Sequence, residues 1–593
     1  MKISRNRAAA AAVAILLAGA AWLPATGQDR PESILPPGFG EPVPPAPAPT
    51  PAPAPGATPA PGVPAPAAPI GVAPTDQPTP SPTPTATPTP IDLSAYELPA
   101  SARRSLAAVG VIGADTGGLD GNAFGTQGGR MAGLLMERLS APLPSRWLSI
   151  ALRRALVTQV TTPAGINGAD FAADRAWLLL RMGEADAARA VVQSVDVEDY
   201  SPRLFQVAMQ AMLATGDPAG LCPLVEPASK VSNEAGWGFA RAMCAALGGK
   251  PAASKALFQA ARRRTGRSID SLLAEKVAGA AASGAVTIEW DGVDRLTAWR
   301  YGLATATGVE IPPALLAGTR PQVAGWRATA PMLDASARAP FADYAASQGI
   351  LSNAALVDLY GEIEASDDSG STAGALARDL RTAYSDAPVT DRMRTLRQLW
   401  TEPTTERGRF ARLVLTARAA SRIAPTQDLA DDETRLIASM LTAGLDRQAL
   451  RWSRVAATGS DAWAMLALAD PRRGRRVAGD EVGGYDGGDG RLKARMLLAG
   501  LTGLGRVSAE DAQGLAEPLD VRFGAENSWT RAIAAAARRG EAGTVLLLTA
   551  VGMQTPNWRG VPPEVLYHAC AALRQVGLEG EARMIAAEAI ARI

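Results

Sequence analysis

The sequence predicts an all-α fold, in which an α-solenoid of antiparallel helix pairs follows a disordered, proline-rich stalk. Three features of the 593 residues lead to this prediction. Beyond residue 145, apolar residues recur with the period of amphipathic helices. Glycines at positions 183, 216 and 248 end successive predicted helices, a spacing typical of paired-helix repeats. Between residues 31 and 90, proline, alanine and threonine dominate so strongly that this part buries too little apolar surface to fold.

Composition and pattern divide the chain into six segments. We expect a signal peptide over 1–27, a disordered Pro/Ala/Thr-rich linker over 28–95, a glycine-rich lead-in with capping helices over 96–165, helical repeats over 166–265, an irregular helical middle region over 266–425 and a C-terminal helical-repeat region over 426–593.

The N-terminus has the pattern of an export signal. Lys2, Arg5 and Arg7 precede an apolar run over 8–23, and the small residues of 25–27 offer a cleavage site. We therefore expect a location in the periplasm or cell envelope. If cleavage fails, the same run serves as a membrane anchor. No other stretch is long and apolar enough to span a bilayer, so no membrane span is expected in the cleaved product.

The linker is expected to act as a spacer. Proline favours the extended polyproline II conformation, so about 60 such residues reach ~190 Å when fully extended. The alternative is a disordered leader that has no partner.

Charge argues against nucleic-acid binding. The formal net charge is +1, which provides no field to attract a polyanion. The basic charge is almost all arginine, and the arginines alternate with Asp and Glu along much of the chain. This interleaving does not favour an array of arginines that binds phosphate or carboxylate.

The helical segments begin with an amphipathic stretch over 145–156 and continue into the repeat. Gly183, Gly216 and Gly248 are predicted to end helices in left-handed turns. A small alanine five residues later lets the next helix pack closely, at Ala188 and Ala253. The same step recurs at Gly444 with Ala449 and at Gly577 with Ala582.

The turn sequences over 181–190 and 576–583 resemble the inter-helix turn of tetratricopeptide repeats. The first reads Arg-Met-Gly-Glu-Ala-Asp-Ala-Ala-Arg-Ala, and the second reads Val-Gly-Leu-Glu-Gly-Glu-Ala-Arg. The resemblance covers 170–262 well and 430–460 and 530–590 in part. It implies stacked helix pairs that offer a surface to a protein or peptide. A generic α-solenoid outside that family is the alternative.

Two of the three cysteines are placed where they can pair. Cys222 lies near the start of one predicted helix and Cys244 near the end of the next, so that an antiparallel hairpin brings them face to face. We expect either a bridge that closes a loop of about 23 residues or two buried thiols. Cys570 is expected to be a small buried hydrophobe.

The sequence contains little that predicts catalysis. His568 is the only histidine, and Cys570 lies about 200° from it around the predicted helix. Zinc needs several Cys and His ligands, and the Asp-rich loop over 486–490 lacks the order of a calcium loop. We therefore expect no metal and no cofactor. Glu526-Asn527-Ser528 followed by Gly552-Met553-Gln554 is vaguely similar to paired motifs of lytic transglycosylases.

These observations predict a non-enzymatic, exported cell-envelope scaffold that binds a protein or peptide partner through its helical surface. Peptidoglycan is a further candidate partner. The alternatives are a peptidoglycan-acting enzyme of the lytic transglycosylase type, with Glu526 as its acid, and a structural element that spans the wall.

Overall fold

The computed structural model describes residues 102–282, 285–366, 370–385, 387–472, 474–488 and 491–593. Helices make up most of this part of the chain, which confirms the all-α prediction. The described strands are β1 (Ala108–Val109) and β2 (Val160–Thr161), which pair antiparallel with Ala108 opposite Thr161. The predicted signal peptide and linker lie outside the described residues.

The α-helices fall into three consecutive groups. The first group is α1 Gly129–Arg138, α2 Arg146–Val157, α3 Gly168–Met182, α4 Ala185–Gln193, α5 Pro202–Ala214, α6 Val225–Val231, α7 Ala235–Leu247, α8 Pro251–Thr265 and α9 Ile269–Ala282. The second group is α10 Ala298–Ala306, α11 Pro313–Ala317, α12 Gln322–Thr329, α13 Ala335–Arg338, α14 Ala342–Gln348, α15 Asn353–Ala365, α16 Thr372–Tyr384, α17 Val389–Thr401, α18 Glu406–Leu415 and α19 Ala417–Ser421. The third group is α20 Glu433–Thr442, α21 Asp446–Ala449, α22 Asp461–Ala469, α23 Gly479–Gly483, α24 Leu492–Gly503, α25 Ala509–Ala516, α26 Ser528–Arg538, α27 Ala542–Gly552, α28 Pro563–Gln575 and α29 Glu579–Arg592.

Short 3-10 helices connect several of these elements. They are Ala114–Thr116, Val197–Asp199, Pro218–Leu224, Ala339–Phe341, Gln427–Asp432, Leu450–Arg454 and Trp558–Gly560.

Glycines in the left-handed conformation end the helices of the first repeats at a regular interval. Gly183, Gly216 and Gly249 have φ values of 87°, 68° and 72° and lie 33 residues apart. After each glycine, the next backbone N–H donates to the carbonyl five residues earlier, as Glu184 does to Leu179 at 2.9 Å. This is the 6→1 bond of the Schellman motif, which satisfies a carbonyl at the helix end.

The third repeat turn departs from the prediction by one residue. Gly248 has φ −81° and stays close to the helix, whereas Gly249 takes the left-handed conformation. The buried residue five positions on is therefore Ser254, and Ala253 is exposed. The reason is that either of two adjacent glycines can adopt a positive φ, and α7 extends far enough for Gly248 to remain its cap.

The C-terminal helix pairs use the same ending. Gly444 and Gly577, with φ values of 71° and 82°, are followed five residues later by Ala449 and Ala582, which are fully buried like Ala188. Left-handed glycines also end further helices, at Gly505 and Gly540.

Tryptophans fill the core. Trp237, Trp299, Trp326, Trp452 and Trp558 are among the largest fully buried side chains. Trp299 Nε1 donates to the Asp270 carbonyl at 3.0 Å, which satisfies the indole in its buried position.

Helices from the two ends of the described chain pack on each other. Besides the contacts between consecutive helices, α2 contacts α27 and α29, and α1 contacts α27. Residues 104–593 belong to one compact unit. In an ideal solenoid each repeat contacts only its neighbours. The contacts of α2 with α27 and α29 join helices far apart in sequence, and an ideal solenoid does not have such contacts.

Among the described residues, no helix has both the length and the apolar character that crossing a membrane requires.

Candidate anion-binding cleft

A run of arginines follows α22 in an irregular segment. The sequence over 471–476 reads Pro-Arg-Arg-Gly-Arg-Arg, and of these residues Arg473 lies outside the described part of the chain. The segment is held against the turn after α24, because Val477 N donates to the Arg506 carbonyl at 2.8 Å and Arg476 Nη1 donates to the Val507 carbonyl at 3.1 Å. These bonds give an otherwise irregular strip a fixed position.

The strip forms one wall of a cleft of about 400 Å³. The turn after α24 forms the second wall, and the end of α28 with the start of α29 forms the third. The lining residues are Arg472, Gly474, Arg475, Arg476, Leu504, Gly505, Arg506, Arg574 and Glu579. Five of these nine side chains are arginines and one is acidic, so the cleft is strongly cationic although the chain as a whole is nearly neutral.

Arg506 is the buried base of the cleft. Its side chain is 4% exposed, and it donates to the carbonyls of Ala467 at 2.8 Å, Leu468 at 3.2 Å and Asp470. These carbonyls end α22, where a cation is favoured by the helix dipole. Burial, together with the nearby Arg583 guanidinium, lowers the pKa of Arg506 below its ordinary value.

Asp470 neutralises Arg472 at the edge of the cleft. The Asp470 carboxylate is buried and accepts from Arg472 Nε at 3.0 Å and Nη2 at 2.6 Å, and from the Arg472 backbone N–H at 2.9 Å. Burial alone disfavours the carboxylate, but these hydrogen bonds outweigh it and keep the pKa of Asp470 below its ordinary value. The Arg472 guanidinium is therefore paired with the Asp470 carboxylate within the protein.

Two arginines of the cleft remain available. Arg475 and Arg574 are exposed, and neither forms an ion pair with any residue that the structure describes. Glu579, the single acidic lining residue, lies 3.6 Å from Arg506. A guanidinium offers planar, paired donors that match a carboxylate or phosphate. The arrangement can therefore bind an anionic group between Arg475 and Arg574.

The backbone at Gly505 makes room for Arg574. Gly505 has φ 68°, and a Cβ atom built on it would lie 2.7 Å from Arg574 Nη1. Glycine suits the positive φ of this turn, and a Cβ atom at this position would make the flexible Arg574 guanidinium shift.

Cys222 and Cys244 form a disulfide in the structure, with their Cα atoms 5.4 Å apart. It joins the 3-10 helix at Pro218–Leu224 to α7, away from the arginine cleft. Cys570 is a buried free thiol on α28, and burial raises its pKa to about 12.

The residues of the enzyme hypothesis have structural roles or lie in solvent. Glu526 is exposed, unlike a catalytic acid held in a desolvated site. Asn527 Oδ1 caps α26 by accepting from Thr530 N at 2.9 Å, and Gln554 Oε1 accepts from Ser140 N at 2.7 Å. His568 is half-buried and packs edge-on against Trp529.

No group of three or more His, Cys, Asp or Glu side chains in the described ranges is arranged to hold a metal ion.

The cleft was not predicted from the sequence, because the distribution of arginines was considered over the whole chain and not segment by segment. The local signal was present, since residues 472–476 contain four arginines and no carboxylate. What the sequence does not show is that Arg506 and Arg574 come to the same place.

No protein-family model, curated protein sequence or solved structure matches this chain.

Proposed function

We propose that this is an exported, non-enzymatic protein of the periplasm or cell envelope that binds an acidic segment of a protein partner in the arginine cleft. The observation that carries the proposal is the pair Arg475 and Arg574, two exposed guanidinium groups without ion-pair partners in the described chain. Of the other arginines that line the cleft, Arg472 and Arg506 lie beside carboxylates and Arg476 donates to the Val507 carbonyl.

Several features support a binding role. The cleft lies between helix ends, where a buried arginine already occupies the carbonyls of α22, so the free guanidinium groups are left for a ligand. The turns at Gly183 and Gly577 support a tetratricopeptide-like repeat, and proteins of that kind bind partners on helical surfaces. The basic N-terminus and apolar run of the sequence support export.

The cleft is tested by the binding of a fluorescent Glu- and Asp-rich peptide to the full chain, followed by anisotropy. We expect Arg475→Gln/Arg574→Gln to weaken binding at least about 10-fold, because each lost charged hydrogen bond contributes substantially. Lys255→Gln/Arg263→Gln is the matched control, since it removes the same charge from exposed residues on α8.

Equal loss of binding in both double variants would mean that net charge, rather than the cleft, attracts the peptide. A wild-type protein that does not distinguish the acidic peptide from a lysine-containing version would also overturn the proposal.

The enzyme alternative has its own test. Purified protein is incubated with peptidoglycan, and soluble muropeptides are measured. Release by the wild type that Glu526→Gln abolishes would replace the scaffold proposal with a peptidoglycan lyase.

A further inference from the structure

A second basic region lies far from the cleft in sequence and carries no carboxylate. Residues 235–269 contain Arg241, Lys250, Lys255, a run of three arginines at 262–264 and Arg267, but no Asp or Glu. The excess of seven positive charges in this stretch contrasts with the net charge of +1 for the whole chain. Positive and negative charges therefore do not cancel in this stretch, although they nearly cancel over the whole chain.

Helix α8 presents much of this charge to solvent. Of its 15 residues, the buried ones are Ser254 and Phe258. Lys255 and Arg263 are both exposed, and they lie about 12 Å apart along the helix axis and about 80° apart around it. With Lys250 at the N-terminal end they are exposed, and none of the three forms an ion pair with a described residue.

Three of the other four cations of the stretch are used within the fold, whereas Arg267 is exposed in the turn after α8. Arg262 pairs with Glu275, and Arg241 pairs with Glu226 at 2.8 Å. Arg264 donates to the Asn233 carbonyl at 2.9 Å. The exposed cations with neither an ion pair nor a side-chain hydrogen bond in this part of the described chain are therefore Lys250, Lys255 and Arg263 on or at the start of α8, and Arg267 just after it.

The base of α8 is rigid. Ser254 Oγ donates to the Ala242 carbonyl of α7 at 2.8 Å, and Phe258 packs against Phe239 with ring centroids 6.4 Å apart. The Cys222–Cys244 disulfide in turn fixes α7 to the preceding 3-10 helix. The helix that carries the exposed cations is therefore packed on α7, and the disulfide fixes α7 in turn.

Large apolar side chains are exposed beside the charges. Leu247, three residues before Lys250, is 42% exposed near the start of α8. Val231 is 50% exposed and lies two residues before Asn233, whose carbonyl accepts from Arg264 at the end of α8. A soluble polyanion gains nothing from such side chains. A bilayer surface, by contrast, accepts apolar side chains at the headgroup boundary while its anionic lipids attract the cations.

We propose that the outward face of α8, with Lys250, Lys255 and Arg263 and the flanking Leu247 and Val231, docks on an anionic phospholipid surface. The face lies on the bilayer and does not cross it. This surface is separate from the arginine cleft, so a protein docked through α8 keeps the cleft available for another ligand.

The test is co-sedimentation of the full chain with vesicles of phosphatidylglycerol and phosphatidylcholine, compared with vesicles of phosphatidylcholine alone. Each lysine or arginine near an anionic surface contributes about a 5-fold gain in partitioning. We therefore expect Lys255→Gln/Arg263→Gln to weaken binding to the mixed vesicles about 25-fold. Arg475→Gln/Arg574→Gln, which removes the same charge, is expected to leave vesicle binding unchanged. Every variant carries the same N-terminal apolar run, so its contribution cancels in the comparison.

A second variant separates a lipid surface from a soluble polyanion. Leu247→Ser/Val231→Ser is expected to weaken vesicle binding several-fold while binding to soluble polyphosphate stays the same. Circular dichroism and thermal unfolding check that both α8 variants are folded. Equal binding to both kinds of vesicle, equal loss in the two charge variants, or no effect of Leu247→Ser/Val231→Ser would each overturn the proposal.

Discussion

Glu588 caps the helix that begins at Arg146, although the two residues are 442 positions apart: Glu588 Oε1 accepts the Arg146 backbone N–H at 2.9 Å. Glu588 Oε2 accepts from Ser145 Oγ at 2.7 Å and from the Trp147 backbone N–H at 3.1 Å. A carboxylate of α29 thus satisfies the free N–H groups at the start of α2 and complements its dipole. This bond joins the first and last parts of the described fold.

Removal of this carboxylate is expected to destabilise the whole unit. Glu588 is buried and also pairs with the half-buried Arg592 at 2.6 Å, so Glu588→Ala leaves that guanidinium and several N–H groups without this partner. We expect a loss of about 3 kcal/mol in the free energy of unfolding. Urea denaturation followed by circular dichroism measures it. Glu289→Ala, at an exposed position in an irregular segment, is the control and should change the free energy by less than about 0.5 kcal/mol.

The disulfide is expected to contribute about 3 kcal/mol to the free energy of unfolding. It closes a loop between residues separated by 22 positions and thereby restricts the conformations of the unfolded chain. Cys222→Ser/Cys244→Ser should lower the free energy of unfolding by that amount. Thiol titration of the denatured wild type should find one free thiol, that of Cys570. Three free thiols in protein recovered from an oxidising compartment would contradict the bridge.

Asp174 is expected to make stability depend on pH. Burial raises its pKa to about 7, although Arg203 Nη2 lies 2.5 Å from Oδ1 and opposes the rise. The folded state therefore binds this proton more tightly than the unfolded chain, whose Asp pKa is about 4. Stabilisation is complete below pH 4 and is lost as the pH rises through 7.

The wild type is expected to gain stability as the pH falls from 8 to 5. In Asp174→Asn we expect this gain in the free energy of unfolding to be smaller by about 2 kcal/mol. Glu184, whose pKa burial also raises to about 7 against the effect of Arg153, retains its part of the gain in that variant. Asp358→Asn, at an exposed helix position, is the control. Parallel pH profiles for the wild type and Asp174→Asn would show that Asp174 stays charged in the folded protein.

The helical architecture could be predicted because its signals are local. A left-handed glycine at Gly183 or Gly577 and an N-cap such as Ser145 depend on a few neighbouring residues. Even so, the choice between Gly248 and Gly249 depends on where α7 ends, which packing decides. The bond between Glu588 and Arg146 and the presence of Arg475 and Arg574 in one cleft depend on the packing of elements that are distant in sequence, and no local pattern encodes them.

Gly505 links the stability of a helix end to the proposed binding site. Its φ of 68° is unfavourable for any residue with a Cβ atom, so Gly505→Ala is expected to cost about 1 kcal/mol of stability. The added methyl group would also lie 2.7 Å from Arg574 Nη1, and the flexible guanidinium must move away from the cleft. We expect weaker binding of the acidic peptide as a result.

Gly540 provides a control with the same backbone and no arginine. It ends α26 with φ 75°, and a Cβ atom built there meets nothing within 4 Å. Gly540→Ala should therefore lose stability to a similar extent and bind the peptide as the wild type does. Because both variants carry the same backbone strain, a difference in peptide affinity isolates the position of Arg574. Equal affinities in the two variants would show that Arg574 does not contact the peptide.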